Sequence, residues 1–289
     1  MPYWFFVALT CALLTACCDA VSKRIMASND EWTTGTVVLG LSTLFLLPIV
    51  ARLELRPVSG DLVAVLAVAL PLEILGYYLF LSAIRMAPLS LTVPLLAFTP
   101  VMTIFTSRVL LGEQVDWTGV IGICLVTVGA YVLHADLATL GLLAPIKALL
   151  SNPGSRRMLA VAILWSVTSS LGKKGILIYG AIPFGFVLIC GCLVGFVVIC
   201  VVRYRMGLAE VTLKREIPAW FLLGGLLMTG AEITHFVSLS MAPVPYMISV
   251  KRLSLVFGVI LGWKFFGERN IPYRLLGASI MVSGVFLLY

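Results

Sequence analysis

Charged residues are scarce in this chain: Asp, Glu, Lys and Arg together make up 11% of its 289 residues. Soluble domains carry about 25% charged residues. The apolar fraction is 61% and the mean hydropathy is +1.10, so there is too little polar surface to cover a water-exposed globule. This composition excludes an ordinary soluble domain and indicates that lipid surrounds most of the chain.

Motifs that bind nucleotides or metals are also missing. The sequence has no Gly-x-x-x-x-Gly-Lys-Ser/Thr loop, no Asp-rich motif and no histidine cluster, since it holds two His in all. These absences exclude a pump driven by nucleotide hydrolysis, and they argue against an enzyme, a metal centre or a cofactor. The seven cysteines fit no zinc or disulfide spacing and are expected to be apolar fillers.

The formal net charge of +7 comes from basic residues that are scattered over loops and the ends of apolar runs. A nucleic-acid-binding protein concentrates its Lys and Arg residues in a patch or stripe, and no such stripe is present. We therefore expect no nucleic-acid partner, and we expect the loop charges to contact membrane lipids.

Long apolar runs dominate the sequence, and each is close to the roughly 20 residues that cross a bilayer. Lipid leaves unpaired backbone groups unsatisfied, so these runs are expected to be helices. The longest connection between them covers residues 135–157. The ten predicted spans are residues 4–26, 33–51, 61–84, 90–110, 117–134, 158–178, 182–202, 217–239, 246–266 and 272–289.

The chain also contains an internal repeat. Residues 1–134 and 158–289 each hold five predicted spans, and an odd number requires the second copy to lie inverted in the membrane. Inverted repeats are typical of transporters, which bind solutes where the repeats meet. At an offset of 155 residues Met86-Ala87-Pro88 matches Met241-Ala242-Pro243 and Gly112-Glu113 matches Gly267-Glu268, while a second offset places Lys23-Arg24 on Lys173-Lys174.

These motifs resemble the EamA-type repeat of the ten-helix branch of the drug/metabolite transporter superfamily. The segment Ile248–Ser254 also resembles the ninth helix of that group. The resemblance implies an all-α integral membrane protein with ten transmembrane helices arranged as two inverted five-helix repeats. It further implies a secondary transporter for a small-molecule solute in a bacterial inner (plasma) membrane, and it leaves a homodimer open.

Lys251 and Arg252 are the leading candidates for solute binding. Ionisable groups inside a span are costly and are therefore functional candidates. Lys251 shares a helical stripe with Ser254 and Gly258, and small residues mark contact with another helix rather than lipid. In the phosphate translocators that the sequence resembles, a Lys-Arg pair holds the substrate phosphate, which suggests an anionic or zwitterionic solute. Snorkelling to the head groups is the alternative.

Acidic residues and one histidine supply further candidates. Glu232 and His235 lie three residues apart, so they share a helical face and form a candidate proton relay or substrate contact, a hydrogen-bonded packing pair being the alternative. Glu73, with Tyr77 one turn later, could face the same cavity from the first repeat. Asp19 is a third candidate for the relay.

Lys173 is the last predicted substrate-binding residue, because it continues a stripe of serines on the sixth span. A similar stripe, with Cys11, Thr15, Cys18 and Ser22, runs along the first span near Asp19. Similar stripes on equivalent helices suggest two faces that line a cavity.

Two functions outside solute transport remain open. A lipid-phosphate flippase would use the same basic pair, whereas a membrane-embedded enzyme lacks a recognisable site here. The orientation is also open: the basic loops favour both termini outside by the positive-inside rule, but members of the resembled family usually have a cytoplasmic N-terminus.

Overall fold

The computed structural model describes residues 2–87, 92–132, 152–207, 219–258 and 271–288, without the side chains of Pro94 and residues 271–275. The predicted connecting loop at residues 135–157 lies mostly outside these ranges, as do Pro88, Gly267-Glu268 and the last eight residues of the ninth predicted span.

The described residues are helical and contain no strand. Six helices are long and apolar enough to cross a membrane, and three shorter apolar stretches lie at Leu95–Leu111, Trp117–Val132 and Leu276–Phe286. The elements are α1 Tyr3–Ile25, α2 Glu31–Val50, α3 Gly60–Met86, a 3₁₀-helix at Val93–Ala97, α4 Phe98–Leu111, α5 Trp117–Val132, α6 Pro153–Tyr179, α7 Ala181–Arg205, α8 Ala219–Met241, α9 Val244–Lys251 and α10 Ile271–Phe286.

Capping side chains explain where several helices begin. Asp30 accepts a hydrogen bond from the Thr33 amide at the start of α2, and Ser59 does the same at the start of α3. Asn152 caps α6, and Pro153 occupies its first turn, where a missing N–H costs nothing. As a result α6 begins five residues before the predicted start at residue 158.

The ninth predicted span is interrupted. Its first helix, α9, ends at Lys251, residues 252 and 253 form a turn, and residues 254–258 are helical again. The Leu253 amide bonds to the carbonyl of Val250 instead of the carbonyl one residue earlier. Such local tightening is typical of functional sites in helices, and here it lies at the predicted Lys-Arg pair.

The helices form two closely packed groups. α3 and α4 pack against α6, and we call them the α3/α4/α6 group. α8 and α9 pack against α1, and we call them the α1/α8/α9 group; α9 also packs against α4 of the first group. α5 and α10 pack against each other at the side of both groups. Their crossing is tight, because a Cβ on Gly122 would lie 2.6 Å from the Gly284 carbonyl oxygen.

The connection between α4 and α5 holds the start of α9. Gly112 ends α4 with φ at 72°, a left-handed conformation that favours glycine. The next residue, Glu113, accepts a hydrogen bond from the Val244 amide at 2.9 Å. The Tyr246 hydroxyl donates to Asp116 at 2.5 Å. The Gly-Glu motif therefore serves as a helix-capping contact in this copy.

Candidate functional site

A cavity of about 140 Å³ lies between the two helix groups. Its wall combines charged and polar residues with aromatic and aliphatic residues. The lining residues that the following paragraphs use are Thr15, Cys18, Asp19, Ser22, Leu39, Glu73, Tyr77, Phe80, Val93, Leu96, Trp165, Thr168, Ser169, Gly172, Ile189, Cys192, Met228, Glu232, His235, Ile248, Lys251 and Arg252.

The interrupted helix α9 brings its two cations to this cavity. Lys251 Nζ lies 3.4 Å from Nδ1 of His235. A charged lysine can only donate, so this contact requires Nδ1 to be the acceptor and the imidazole proton to reside on Nε2. Arg252 is 4% exposed, and its Nε is buried without a hydrogen-bond partner among the described residues.

Three carboxylates line the same cavity. Asp19 is within electrostatic reach of both Lys251 and Arg252, and Glu232 is within reach of Lys251. Glu73 comes from the opposite helix group and faces Thr168. The wall thus carries three acids and two bases, with most of the charge on the α1/α8/α9 group.

These acids and bases do not form direct ion pairs. Within the described ranges, one ion pair has a nitrogen–oxygen distance of 4.0 Å or less, and it joins Arg85 to Glu31 at one end of α3. The charges of the cavity are therefore separated by more than a salt-bridge distance. A ligand with its own charged groups would fit between them, since isolated charges in a membrane protein are costly.

Six of the seven predicted substrate-binding residues line the cavity, and Lys173 does not. Its Nζ donates to three main-chain carbonyls at the end of α8, those of Leu239, Ser240 and Ala242, at 2.6, 3.2 and 3.1 Å. The serine stripe leading to it is divided, because Ser169 lines the cavity while the hydroxyl of Ser170 bonds to that of Thr106 in α4. The Thr106 hydroxyl also donates to the main-chain carbonyl of Ser166.

Lys23 on α1 makes a matching contact at the end of α3. Its Nζ donates to the carbonyl of Ile84 and, at 3.0 Å, to the carbonyl of Ala87. Each lysine directly follows a cavity-lining residue: Lys23 follows Ser22 in α1, and Lys173 follows Gly172 in α6.

Aromatic side chains form the other part of the wall. The rings of Phe80 and Trp165 lie 5.2 Å apart at an angle of 36°. The Tyr77 hydroxyl donates to Met228 Sδ at 3.8 Å. These residues give the cavity an apolar side that could hold the non-polar part of a small solute.

The cavity contains residues that the sequence had not indicated, among them Trp165, Thr168 and Cys192. Trp165 and Cys192 resemble ordinary lipid-facing or core residues in an apolar helix, so no residue-type signal distinguishes them. Thr168 lies near the serine stripe, which was the available signal. No group of three metal-ligating side chains occurs in the part of the chain that the structure describes.

The lining residues occur in pairs at two fixed spacings. At 150 residues the pairs are Thr15 and Trp165, Cys18 and Thr168, Asp19 and Ser169, Ser22 and Gly172, and Leu39 and Ile189. At 155 residues the pairs are Glu73 and Met228, Tyr77 and Glu232, Phe80 and His235, Val93 and Ile248, and Leu96 and Lys251.

Comparison with known proteins agrees with this architecture. A solved structure titled "Crystal structure of protein" has a TM-score of 0.77 and 15% sequence identity, and the match covers 98% of this chain and 97% of that chain. At this identity the likeness shows the fold alone. None of the curated proteins matches the sequence significantly.

The fold and cavity define a multi-pass helical membrane protein with a polar site between its helices. The model of the EamA-like transporter family matches residues 2–135. Residues 2–135 thus match a family of membrane transporters of the drug/metabolite type, and over this part of the chain the family resemblance predicted from the repeated motifs is confirmed.

Proposed function

We propose that this protein is a secondary transporter that moves a small zwitterionic or anionic metabolite by alternating access. In this proposal the chain crosses the membrane ten times as two inverted five-helix repeats, with residues 135–157 connecting them, and it operates in a bacterial inner membrane. The cavity between the helix groups, lined by acids and bases that form no ion pairs with one another, is the observation that carries the proposal.

The paired spacings of the lining residues support the inverted repeat. Equivalent positions in two copies of one fold face the same central space, and ten pairs of lining residues obey one of two offsets. The burial pattern of residues 31–48 also recurs at residues 181–198, position by position. A duplicated unit gives two packings of similar energy, one open to each side, as alternating access requires.

The distribution of charge favours a solute with two charged groups. Lys251 and Arg252, which both line the cavity, would bind its anionic group. Glu73 lies on the opposite wall and would receive a cationic group. The solute would complete ion pairs that the charges of the wall do not form with one another.

The excess of one carboxylate favours coupling to protons or to exchange. A buried carboxylate without a counter-charge is unfavourable, so a proton or a cationic solute group would neutralise it. Asp19, Glu232 and His235 are the candidate relay, and the contact between His235 and Lys251 would link that relay to the binding site.

Reconstitution in proteoliposomes tests this function. Radiolabelled amino acids, organic phosphates and dicarboxylates are offered with and without a pH gradient, and saturable uptake of a zwitterion or anion is expected. Removing one partner of a buried charge pair costs about 2–5 kcal/mol, so Lys251→Met should weaken apparent affinity roughly 30-fold or more. Lys174→Met is the matched control, since Lys174 is exposed.

Two results would contradict the proposal. One is the absence of saturable flux for every zwitterion and anion offered, and the other is full activity of the Lys251→Met variant. Movement of a labelled phospholipid in place of any water-soluble solute would instead indicate a flippase.

A further inference from the structure

We propose that Lys23 and Lys173 are two gate residues that close the cavity at its opposite ends. This inference rests on the proposed alternating access. In the arrangement seen here both lysines hold a helix end of the other group, and opening the cavity at one end releases the lysine at that end.

Lys173 is fully engaged in this arrangement. An ammonium group has three donors, and three carbonyls at the end of α8 lie within 3.2 Å of Lys173 Nζ. The last carbonyls of a helix carry partial negative charge and have no intrahelical partner. The lysine therefore supplies hydrogen bonds to carbonyls that would otherwise need water. When the cavity opens at this end, water could take over these hydrogen bonds from the lysine.

Lys23 is engaged in the same way at the end of α3, where it donates to the carbonyls of Ile84 and Ala87. The side chain of Lys23 is partly buried and that of Lys173 is 9% exposed. The two contacts thus share one chemistry, a lysine from one helix bound to the C-terminal carbonyls of another.

The two contacts lie at opposite ends of the cavity, as helix α6 demonstrates. Gly154 at the start of α6 packs against Ala87, the residue that Lys23 binds. Lys173 lies nineteen residues further along α6, which is about 28 Å at 1.5 Å per residue. This separation approaches the thickness of the hydrocarbon core.

Each lysine also joins the two helix groups. Lys23 belongs to the α1/α8/α9 group and binds α3, while Lys173 belongs to the α3/α4/α6 group and binds α8. Lysines within one group would move with their partners and would not respond to opening. Lys23 and Lys173 join the helix groups on either side of the cavity. The hydrogen bonds of each lysine must therefore break when the groups separate at that end of the cavity.

Cys192 provides a reporter for this test, because it lines the cavity and is 4% exposed. The other six cysteines are replaced by alanine or serine in the full chain. A membrane-impermeant thiol reagent is then applied to sealed vesicles of known sidedness, once from each side. Lys173→Met should raise labelling from the side where α8 ends, and Lys23→Met should raise it from the opposite side.

Loss of a hydrogen-bonded charge shifts an equilibrium by roughly tenfold or more, so a comparable gain in labelling rate is expected. Arg24→Met and Lys174→Met are matched controls, since each removes a neighbouring exposed cation, and they should label like the parent. If a Met variant does not accumulate, Lys→Gln replaces it and should give a smaller gain on the same side.

Several outcomes overturn the inference. Equal labelling of parent and lysine variants would do so while leaving the proposed function intact, provided that Cys192 is reachable from both sides. A gain on the same side for both lysines would also refute it. If Cys192 reacted from neither side in any variant, both the gates and alternating access would fail.

Discussion

The crossing of α5 and α10 allows a prediction to be worked out from distances. A Cβ added at Gly122 would lie 2.6 Å from the carbonyl oxygen of Gly284 and 2.8 Å from Leu288 Cδ2. Ordinary contacts begin at 3.4 Å, so the helices would have to separate by about 0.8 Å at this point. The obstacle is main chain, which a rotamer change cannot remove.

Overpacking of this kind costs about 1–3 kcal/mol, so Gly122→Ala should destabilise the protein. Each kcal/mol corresponds to about 2–4 °C in a chain of somewhat smaller size, and we expect the midpoint of thermal unfolding in detergent to fall by roughly 2–12 °C. Gly122 does not line the cavity, so substrate affinity at low temperature should be unchanged.

A control and a double variant sharpen this test. Gly60→Ala should be neutral or stabilising, because nothing lies within 4 Å of its added Cβ. Gly284→Ala meets the Gly122 carbonyl oxygen at 2.6 Å, so the two changes push the same helices apart and should be less than additive. Unaltered stability of Gly122→Ala would refute the close crossing.

Two further predictions concern acidic residues. Glu232→Gln removes one carboxylate of the candidate relay, so uptake driven by a pH gradient should decline while exchange of solute for solute persists in counterflow; unchanged coupling would contradict the role of Glu232. At the α4–α5 connection, hydrogen bonds from the Thr118 and Tyr246 hydroxyls hold the pKa of Asp116 below its usual 3.8. Their stabilisation is present above that pH and is lost as pH falls through the lowered pKa. The difference in thermal midpoint between the parent and Tyr246→Phe should therefore be constant at neutral pH and shrink below about pH 4, and a difference that stays constant in acid would argue against this contact.

Much of the fold could be predicted because its signals are local. Apolar runs define the spans, and caps such as Asp30 and Ser59 mark the helix starts within two residues of the predicted bounds. The start of α6 differed because Asn152 and Pro153 extend the helix beyond its apolar part. Local sequence patterns predict where a helix begins and ends, but they do not predict which helices pack against it.

The cavity was predicted less completely for that reason. A polar residue in a span must find a partner, and the sequence does not reveal which one. Lys173 was predicted to bind solute, yet its Nζ donates to three carbonyls at the end of α8, which have no intrahelical partner. The interruption of the helix after Lys251 could not be predicted, because residues 252–253 include neither proline nor glycine. The roles proposed for the lining residues remain predictions.

The uneven placement of charge on the cavity wall has a consequence for chirality. Lys251, Arg252 and two of the three acids belong to one helix group, while Glu73 and the Trp165 ring belong to the other. A chiral solute would contact this wall with its anionic group, its cationic group and its apolar part at three different places. Its mirror image could not make all three contacts at once. Carriage through this site should therefore be enantioselective, and the preferred hand is retained whichever end of the passage is open.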